Sequence, residues 1–583
     1  MHKKWVVAAK KADFNQIAQQ FGISPYLARI IRNRDVIGDE AINMFLNGDI
    51  SNMHNPELLK DLCIAADILV DAIESGVKIR IVGDYDVDGV CASYILLKGI
   101  KSLGGDADVR LPDRILDGYG INEDMIMQAY DDGVELIITC DNGIAASKEI
   151  AKAIQLGMSV IVTDHHEVPY EQNGDERNYI IPQADAVVDP KQSDCPYPFS
   201  GICGAVVAYK LISYILDNPD YMLLPEGNTP EEVKEELLCF AAFATVCDVM
   251  ELRDENRVLV KHGLKLLAKT KNVGLNALID ASGIDRNALS IYHVGFILGP
   301  CVNATGRLDS AMKALELFSE ENPQKAALIA EELKNINESR KNMTVSFTKA
   351  AIESVNRNYP DDKVIVVYLP SCHESIAGIV AGKVRESFYK PTIVLTDDAE
   401  GNIKGSGRSI DTYDMYEELT LVKDMFTKYG GHKLAAGLSM QAGTADELRR
   451  RLNDNCRLSE DDLVEKCIID IPMPISYITK DFVDELEKLG PFGMGNPKPL
   501  FAQKDVKVVG ASLVGKNQNV LKLRLESPGE EAGRLVDAVL YENAQEAHDE
   551  IKVGSSISVL YQAGINEYMG RSTVSLTIKD YCI

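Results

Sequence analysis

The stretch GDYDVDG at residues 83–89 sets Asp84, Asp86 and Asp88 at alternate positions behind an apolar run. Two more polar clusters follow apolar runs in the same way. DNG (Asp141, Asn142, Gly143) comes after VELIITC, and DHH (Asp164, His165, His166) after MSVIVT. A further carboxylate, Asp248, closes the apolar stretch FAAFATVC. Taken singly, each has an ordinary explanation. Asp86 or Asp88 would cap a following helix, DNG is a turn sequence, and adjacent histidines are more often surface or core than ligands. Capping explains one carboxylate per loop, however, and no histidine. Several carboxylates and an imidazole in one pocket repel unless cations sit among them. Oxygen and nitrogen donors without thiolate suit Mn²⁺ or Mg²⁺, with Mn²⁺ favoured by the histidine. Two such ions about 3.5–4 Å apart are the usual clamp for phosphoryl hydrolysis: one generates hydroxide at neutral pH, and the pair stabilises the attacking and leaving oxygens.

The elements that must position these residues follow from hydrophobic spacing. A helix is expected from Pro56 to Glu74, strands at 77–83, 107–112, 134–140, 158–163 and 184–190, and helices from about Val90 to Leu103, at 122–130 and at 147–157. Strands alternating with helices predict a parallel sheet with right-handed crossovers, closed by helices near 201–217 and 230–247. Loops at the carboxyl ends of such strands line one crevice, so the three clusters converge there. An Ala-, Glu-, Lys- and Leu-rich stretch from Asn322 to Val355 reads as one or two bridging helices. A second α/β pattern follows, with strands at 363–370 and 391–396, a helix near 375–388 and the segment GNIKGSGRSI at 401–410. After residue 489, short alternating segments punctuated by Gly and Asn suggest an all-β module of five or so strands, such as an OB-type barrel. The expected fold class is therefore α/β: two α/β domains joined by a long helix, plus the barrel. The expected division is an N-terminal extension at 1–55, a catalytic domain at 56–250, a helical connector at 251–355, a phosphate-binding domain at 356–460 and the barrel at 461–583.

With 583 residues, several domains are expected. Lys and Arg number 61 against 88 Asp and Glu, a net charge of −27, which lowers the expectation of a nucleic-acid partner without deciding it. No apolar run is long enough for a membrane span, and MHKKWVVAAKKADF is too short in its apolar part for a secretory signal. Twelve cysteines without a CxxC pair fit reduced thiols and a cytoplasmic location.

In the second α/β pattern, KGSGRS and YGGHKLAAG read as two Gly-rich loops, each bearing a cation or potential cation. Glycines let backbone N–H groups approach an anion, Arg408 offers a planar fork for phosphate, and Ser406 and His432 can donate. The alternative is that these glycines serve hairpin turns and Arg408 is a surface charge. In the last module, Lys516, Lys522, Arg524 and Tyr541 would suit a single-strand groove, or be only a solvated face.

The set GDYDVDG, DNG, DHH and Asp248 resembles the DHH phosphoesterase superfamily. LPDR (111–114), DGYG (117–120), SGICGAVVAYKL (200–211), LGPCVNATGRLDSA (298–311), CHESIAGIVAGKV (372–384), KGSGRSI (404–410), KYGGHKLAAGL (428–438) and PFGMGNPKPLF (491–501) narrow the resemblance to the RecJ family of single-strand-specific exonucleases. The resemblance runs from about residue 56 to the C-terminus. It implies that Asp86 and Asp88 are the paired aspartates, Asp141 the bridging carboxylate, and His165 and Asp248 ligands of a second metal. Asp84 supplies the ligand that other members take from a histidine at the place held here by Val82, and His166 orients the nucleophile or steadies the leaving oxygen. Asp88, Asp141 and His166 are thus the implied catalytic residues. It further implies a DHH-associated domain that holds the 5′-phosphate through Ser406, Arg408, Gly431 and His432, with Arg114 reaching the same phosphate from the first domain, and backbone contacts from Asn303 and Arg307, for which loop bracing is the alternative. The implied activity is 5′→3′ removal of mononucleotides from single-stranded DNA in repair and recombination, beside a helicase and a single-strand-binding protein, with a monomer expected. A small-substrate phosphoesterase on the same core predicts no module after residue 490. A non-catalytic scaffold related to the family predicts lost ligands, and every expected ligand is present.

Overall fold

The computed structural model describes residues 3–583 except 175, 222–228, 399, 529–533 and 569. The chain folds as two compact units. One gathers Met53–Met250 and Leu259–Leu463; the other gathers Met1–Asn52, Glu251–Val258 and Val464–Ile583.

The first unit begins with a parallel sheet of β1 (Lys78–Val82), β2 (Asp106–Arg110), β3 (Leu136–Cys140), β4 (Ser159–Thr163) and β5 (Ala186–Val188), in the order β2-β1-β3-β4-β5. β3 is buried along its whole length, as a strand covered on both faces should be. The order reverses between β1 and β3. In open parallel sheets, ligands bind outside the strand ends at such a switch point. Register sets Val82 beside Thr139, Thr139 beside Val162, and Val162 beside Val187, so the four loops leave the sheet at one level. Helix α1 (Val87–Ser102) starts three residues earlier than hydrophobic spacing suggests, because the Asp86 side chain caps it, accepting from the N–H groups of Asp88 and Gly89. The helix expected from Pro56 begins only at Leu62; Pro56–Leu58 is a single 3₁₀ turn. Helices α2 (Gly204–Asp217) and α3 (Pro230–Cys247) complete this layer.

Helix α4 (Gly299–Leu308) precedes α5 (Pro323–Asn358), one continuous helix of 36 residues, about 54 Å long at the usual rise. It leads into a second sheet of β6 (Ile365–Tyr368), β7 (Thr392–Asp397), β8 (Ile403–Arg408), β9 (Phe426–His432) and β10 (Ala435–Met440), ordered β9-β10-β8-β7-β6, with α6 (Glu374–Phe388) against it. The Gly-rich segments read from sequence as loops are strands here. Gly405 and Gly407 lie in β8, Gly430 and Gly431 in β9, and Gly437 in β10.

In the other unit, β11 (Ile471–Pro472), β12 (Phe501–Val514), β13 (Val520–Glu526), β14 (Leu535–Leu540), β15 (Ser556–Tyr568) and β16 (Arg571–Cys582) form one sheet. The long strand β12 is interrupted by irregularities near Gln503 and Val508, pairing with β15 through its first half and β13 through its second. A parallel β14–β16 pairing brings the sheet round on itself as a partly closed barrel, the OB type expected. The first 52 residues, which hydrophobic spacing left unread, contribute Leu27, Ile30, Ile31, Ile42 and Phe45 to the core of this barrel. Lys4–Val7 pairs in parallel with Lys466–Ile469, and buried Arg34 makes a bidentate pair with Asp470 at 2.6 and 2.9 Å. Among the described residues no helix is long and apolar enough to cross a membrane.

Candidate metal centre

Each strand end at the switch point delivers its acidic cluster by a separate local device. After β1, the turn that carries Asp84 and Asp86 folds back on the start of α1. A Cβ at Gly89 would lie 2.5 Å from the Asp84 backbone, so only glycine allows that approach. After β3, Asp141 takes a left-handed conformation (φ 60°), uncommon outside glycine, and this turns its carboxylate back over the sheet. Asn142 ties the loop down, donating from Nδ2 to the carbonyls of Val82 (3.0 Å) and Cys140 (2.9 Å). Asp88, on the first turn of α1, accepts from the N–H groups of Gly204 (2.6 Å) and Ala205 (2.9 Å), where the N-terminus of α2 favours an anion.

The side chains then meet. His165 Nε2 lies 3.0 Å from Asp141 Oδ1, 3.5 Å from Asp88 Oδ2 and 4.0 Å from Asp248 Oδ2. Three groups have ligand atoms mutually within 4.8 Å: Asp84, Asp86 and Asp141; Asp88, His165 and Asp248; and Asp141, His165 and His166. Asp141 and His165 each belong to two of them.

Electrostatics mark the cluster as short of positive charge. Burial, then the field of Asp86, pushes the Asp84 carboxyl up to about 8; burial, then Asp88 and Asp86, does the same to Asp248. Asp141 and Asp86 are raised too, by burial first and then by neighbouring carboxylates. Burial holds His165 below the usual imidazole range, which leaves its ring neutral and able to ligate. His166 behaves oppositely. Burial works against its charge, but the hydrogen bond to Asp164 and the nearby carboxylates outweigh it and carry the ring up to about 9.

A pair of divalent cations fits these residues. Asp84 Oδ1 and His165 Nδ1 are buried without a hydrogen-bond partner, which a carboxylate and imidazole in a finished protein site rarely are. All the donors are oxygen or nitrogen, the set that hard and borderline divalent ions take.

Two residues outside the sequence-derived list shape the site. Asp164, buried at the end of β4, accepts from the N–H of His165 (2.8 Å) and Ile144 (2.9 Å) and meets His166 Nδ1 at 2.8 Å. Burial alone would raise its carboxyl, yet the His166 hydrogen bond keeps it below the usual range. Tyr119 donates its hydroxyl to the Asp141 carbonyl (2.8 Å) and touches His166 Nδ1 at 3.1 Å. The rule that polar groups at strand ends converge would have included Asp164. Tyr119, in DGYG, carries no such signal, because its loop leaves β2 and crosses the switch point.

The residues expected at a terminal phosphate are also placed. Arg114 stacks on the Tyr85 ring at 4.7 Å, and its charge reaches Asp84 on one side and Arg307 and Arg408 on the other. Ser406 and Arg408 share one face of β8, with Arg408 Nη1 3.4 Å from Ser406 Oγ. Arg408 and His432 both lie in register with Ala435 on the intervening strand. Beside them opens a cavity of about 440 Å³ lined by Lys404, Ser406, Lys428, Gly430 and Gly437. Cβ atoms at Gly430 and Gly437 would meet nothing within 4 Å, so these glycines form an open floor. Gly431 alone of the glycines in these strands has positive φ (147°), where a Cβ would strike the Ala435 carbonyl. Asn303 and Arg307 each make a contact within the protein: Asn303 Oδ1 accepts from the Val87 N–H (3.3 Å), and Arg307 Nη1 donates to the Ser375 carbonyl (2.7 Å). In the barrel, Lys522 and Arg524 face Asp537 at 3.7 and 3.2 Å, which fits a solvated face.

Comparison with known proteins accounts for nearly the whole chain. Residues 78–245 match the DHH family, N-terminal domain; residues 361–458 match the DHHA1 domain; residues 469–580 match the RecJ OB domain. The chain is 34% identical to the single-stranded-DNA-specific exonuclease RecJ of Bacillus subtilis over 584 residues, covering all of this chain and 71% of that protein. It is 30% identical to the Escherichia coli protein of the same name over 569 residues, covering 95% of each. Among solved structures it is similar to RecJ in complex with Mn²⁺ from Thermus thermophilus, with a TM-score of 0.82 at 26% identity, covering 100% of this chain and 79% of that one. By these matches and the arrangement of its strand-end residues, the chain belongs to the RecJ family, with DHH, DHHA1 and OB domains.

Proposed function

We propose that this chain is a metal-dependent exonuclease that degrades single-stranded DNA from its 5′ end to mononucleotides, with Asp84, Asp86, Asp88, Asp141, His165 and Asp248 holding two Mn²⁺ or Mg²⁺ ions. The observation that carries the reading is the convergence of two ligand triads, Asp84–Asp86–Asp141 and Asp88–His165–Asp248, with Asp141 Oδ1 only 3.0 Å from His165 Nε2, so that one carboxylate lies within reach of both. When bound, such cations supply Lewis acidity toward a phosphodiester and its attacking water. The chain's own residues provide orientation and protons. His166, protonated through neutral pH and steadied by Asp164 and Tyr119, offers positive charge or a proton to an oxygen beside Asp141. Arg114 and Arg408 have no carboxylate in ion-pair contact among the described residues, so both are available to a terminal phosphate. Ser406, Gly431 and His432 complete that seat in the same reading. A strand without an end group has nothing to place there, hence exonucleolytic cleavage.

In this reading residues 56–250 form the catalytic domain, 251–355 the connector, 356–460 the phosphate-binding domain and 461–583 the strand-binding barrel. The family kinship supports a role in DNA repair and recombination beside a helicase and a single-strand-binding protein, with the chain monomeric. A cytoplasmic location fits its cysteines, none of which is paired among the described residues.

The test is release of mononucleotides from labelled single strands in Mn²⁺ against chelator. Asp141→Ala should lower turnover by ~10³-fold or more in either metal, since a shared ligand contributes several kcal/mol of charge stabilisation. Near-normal turnover in that variant would refute the assignment.

A further inference from the structure

Tyr292 and Phe296 are 62% and 68% exposed, and their rings stack at 5.4 Å with planes 26° apart. Large aromatic side chains are normally buried, so an exposed stacked pair calls for an explanation. The backbone explains why they stand out. Pro300 has no N–H to return to the Phe296 carbonyl, and its ring crowds that carbonyl. The helix that starts at Ile291 therefore widens into a π-turn over Val294–Leu298 before resuming as α4. Such turns concentrate at functional sites.

This turn lies against the end of α3. Cys247 Sγ is 3.8 Å from the Val294 carbonyl, a Cβ on Gly295 would touch Val246 at 3.5 Å, and one on Gly299 would meet Cys247 Sγ at 2.3 Å. Asp248 is the next residue of the chain. Farther along the same helix, Asn303 meets Val87, and Gly306 passes so close to the Tyr85 carbonyl that a Cβ would lie 2.3 Å from it. The aromatic pair is thus carried on the helix that braces the acidic loop.

We infer that Tyr292 and Phe296 form a stacking platform for nucleobases of the single strand that enters the candidate site. The inference rests on the exonuclease reading. An enzyme that removes every nucleotide in turn needs a grip that is indifferent to sequence, and the π-face is common to all four bases. The pair offers no charge for phosphate, and apart from the Tyr292 hydroxyl it presents only flat apolar faces. Its chemistry selects flat, unpaired bases, and its continuity with the candidate site favours the strand over a protein partner.

The test measures binding of a labelled oligo-dT to the full chain in chelator, so that it reads affinity and not turnover. Tyr292→Ala with Phe296→Ala should weaken binding about ten-fold or more, the range for losing a base-stacking aromatic, and Tyr292→Phe with Phe296→Tyr should restore it. An oligonucleotide carrying abasic sites, which removes the bases instead of the rings, should bind the unaltered protein more weakly and the double alanine variant no differently. With Mn²⁺, a 5′-phosphorylated dinucleotide, which spans only the cleaved bond, should be turned over by that variant at the original kcat while KM for the long strand rises. Unchanged oligonucleotide binding in the alanine variant, or equal abasic effects in both proteins, overturns the platform and points to a protein partner for this face. If the unaltered protein binds through the pair but cleaves nothing, the exonuclease reading falls and the platform stands.

Discussion

At the scale of single residues, the site works by giving two neighbouring histidines opposite tasks. His165, buried and neutral, sets its Nε2 among carboxylate oxygens at 3.0–4.0 Å, where its lone pair and theirs can face one cation; His166, half-exposed, is kept charged by Asp164. Asp164→Asn should therefore bring the His166 transition down from about 9 toward the ordinary imidazole range. If protonated His166 is the working form, kcat/KM in this variant should fall as pH rises through 7, while the unaltered protein stays active to about pH 9. Superimposable pH–rate profiles would remove His166 from the mechanism. Arg408→Ala should reduce the preference for 5′-phosphorylated over 5′-hydroxyl ends more than it slows cleavage at saturating strand. Equal losses on the two kinds of end would count against the phosphate seat.

Elements set the distances that the residues need. The helix cap at Asp86 and the absent side chain at Gly89 together press α1 against the loop that carries Asp84. A methyl at position 89 would collide with main chain, which moves reluctantly. Gly89→Ala should lower stability by about 1–3 kcal/mol, as overpacking does, and weaken Mn²⁺ binding by calorimetry well beyond ten-fold. A variant that melts earlier yet binds the ion normally would mean that the loop position is unimportant. Glycine-rich β8 and β9 read as loops in sequence because glycine weakens any strand by itself. They are strands because their neighbours supply the ladder, and the glycines clear the open floor beside Ser406.

For the whole molecule, the acidic cluster makes stability depend on pH and on metal. Asp84 and Asp248 titrate near 8 when folded but near 4 when unfolded. Below pH 4 both states hold these protons and the two groups cost nothing. Between about 4 and 8 the unfolded chain releases them while the folded chain retains them, so their contribution to stability declines as pH rises through 8. The metal-free protein should lose thermal stability over that window, and Mn²⁺ should raise the melting midpoint more at pH 8 than at pH 5.5, since it binds the folded, deprotonated site. A metal-induced shift that is the same at both pH values would contradict the cluster.

The strand-end positions of Asp84, Asp141 and Asp164, the place of Asp248 at the end of an apolar helix, the α/β alternation and the barrel at the C-terminus were legible in the residues alone. Apolar runs of strand length followed by a polar cluster have few other solutions, and the acidic loops announce a cation by mutual repulsion. Only tertiary structure decided the rest. The helices between Phe14 and Asn47 join the barrel core through Leu27, Ile31 and Phe45, contacts more than 400 positions away in sequence that no local spacing encodes. Tyr119 reaches His166 because its loop folds across the switch point, and Asn303 and Arg307 meet Val87 and Ser375 only through the packing of α4. Local pattern determines which groups a chain can present; the packing of distant segments determines which of them meet.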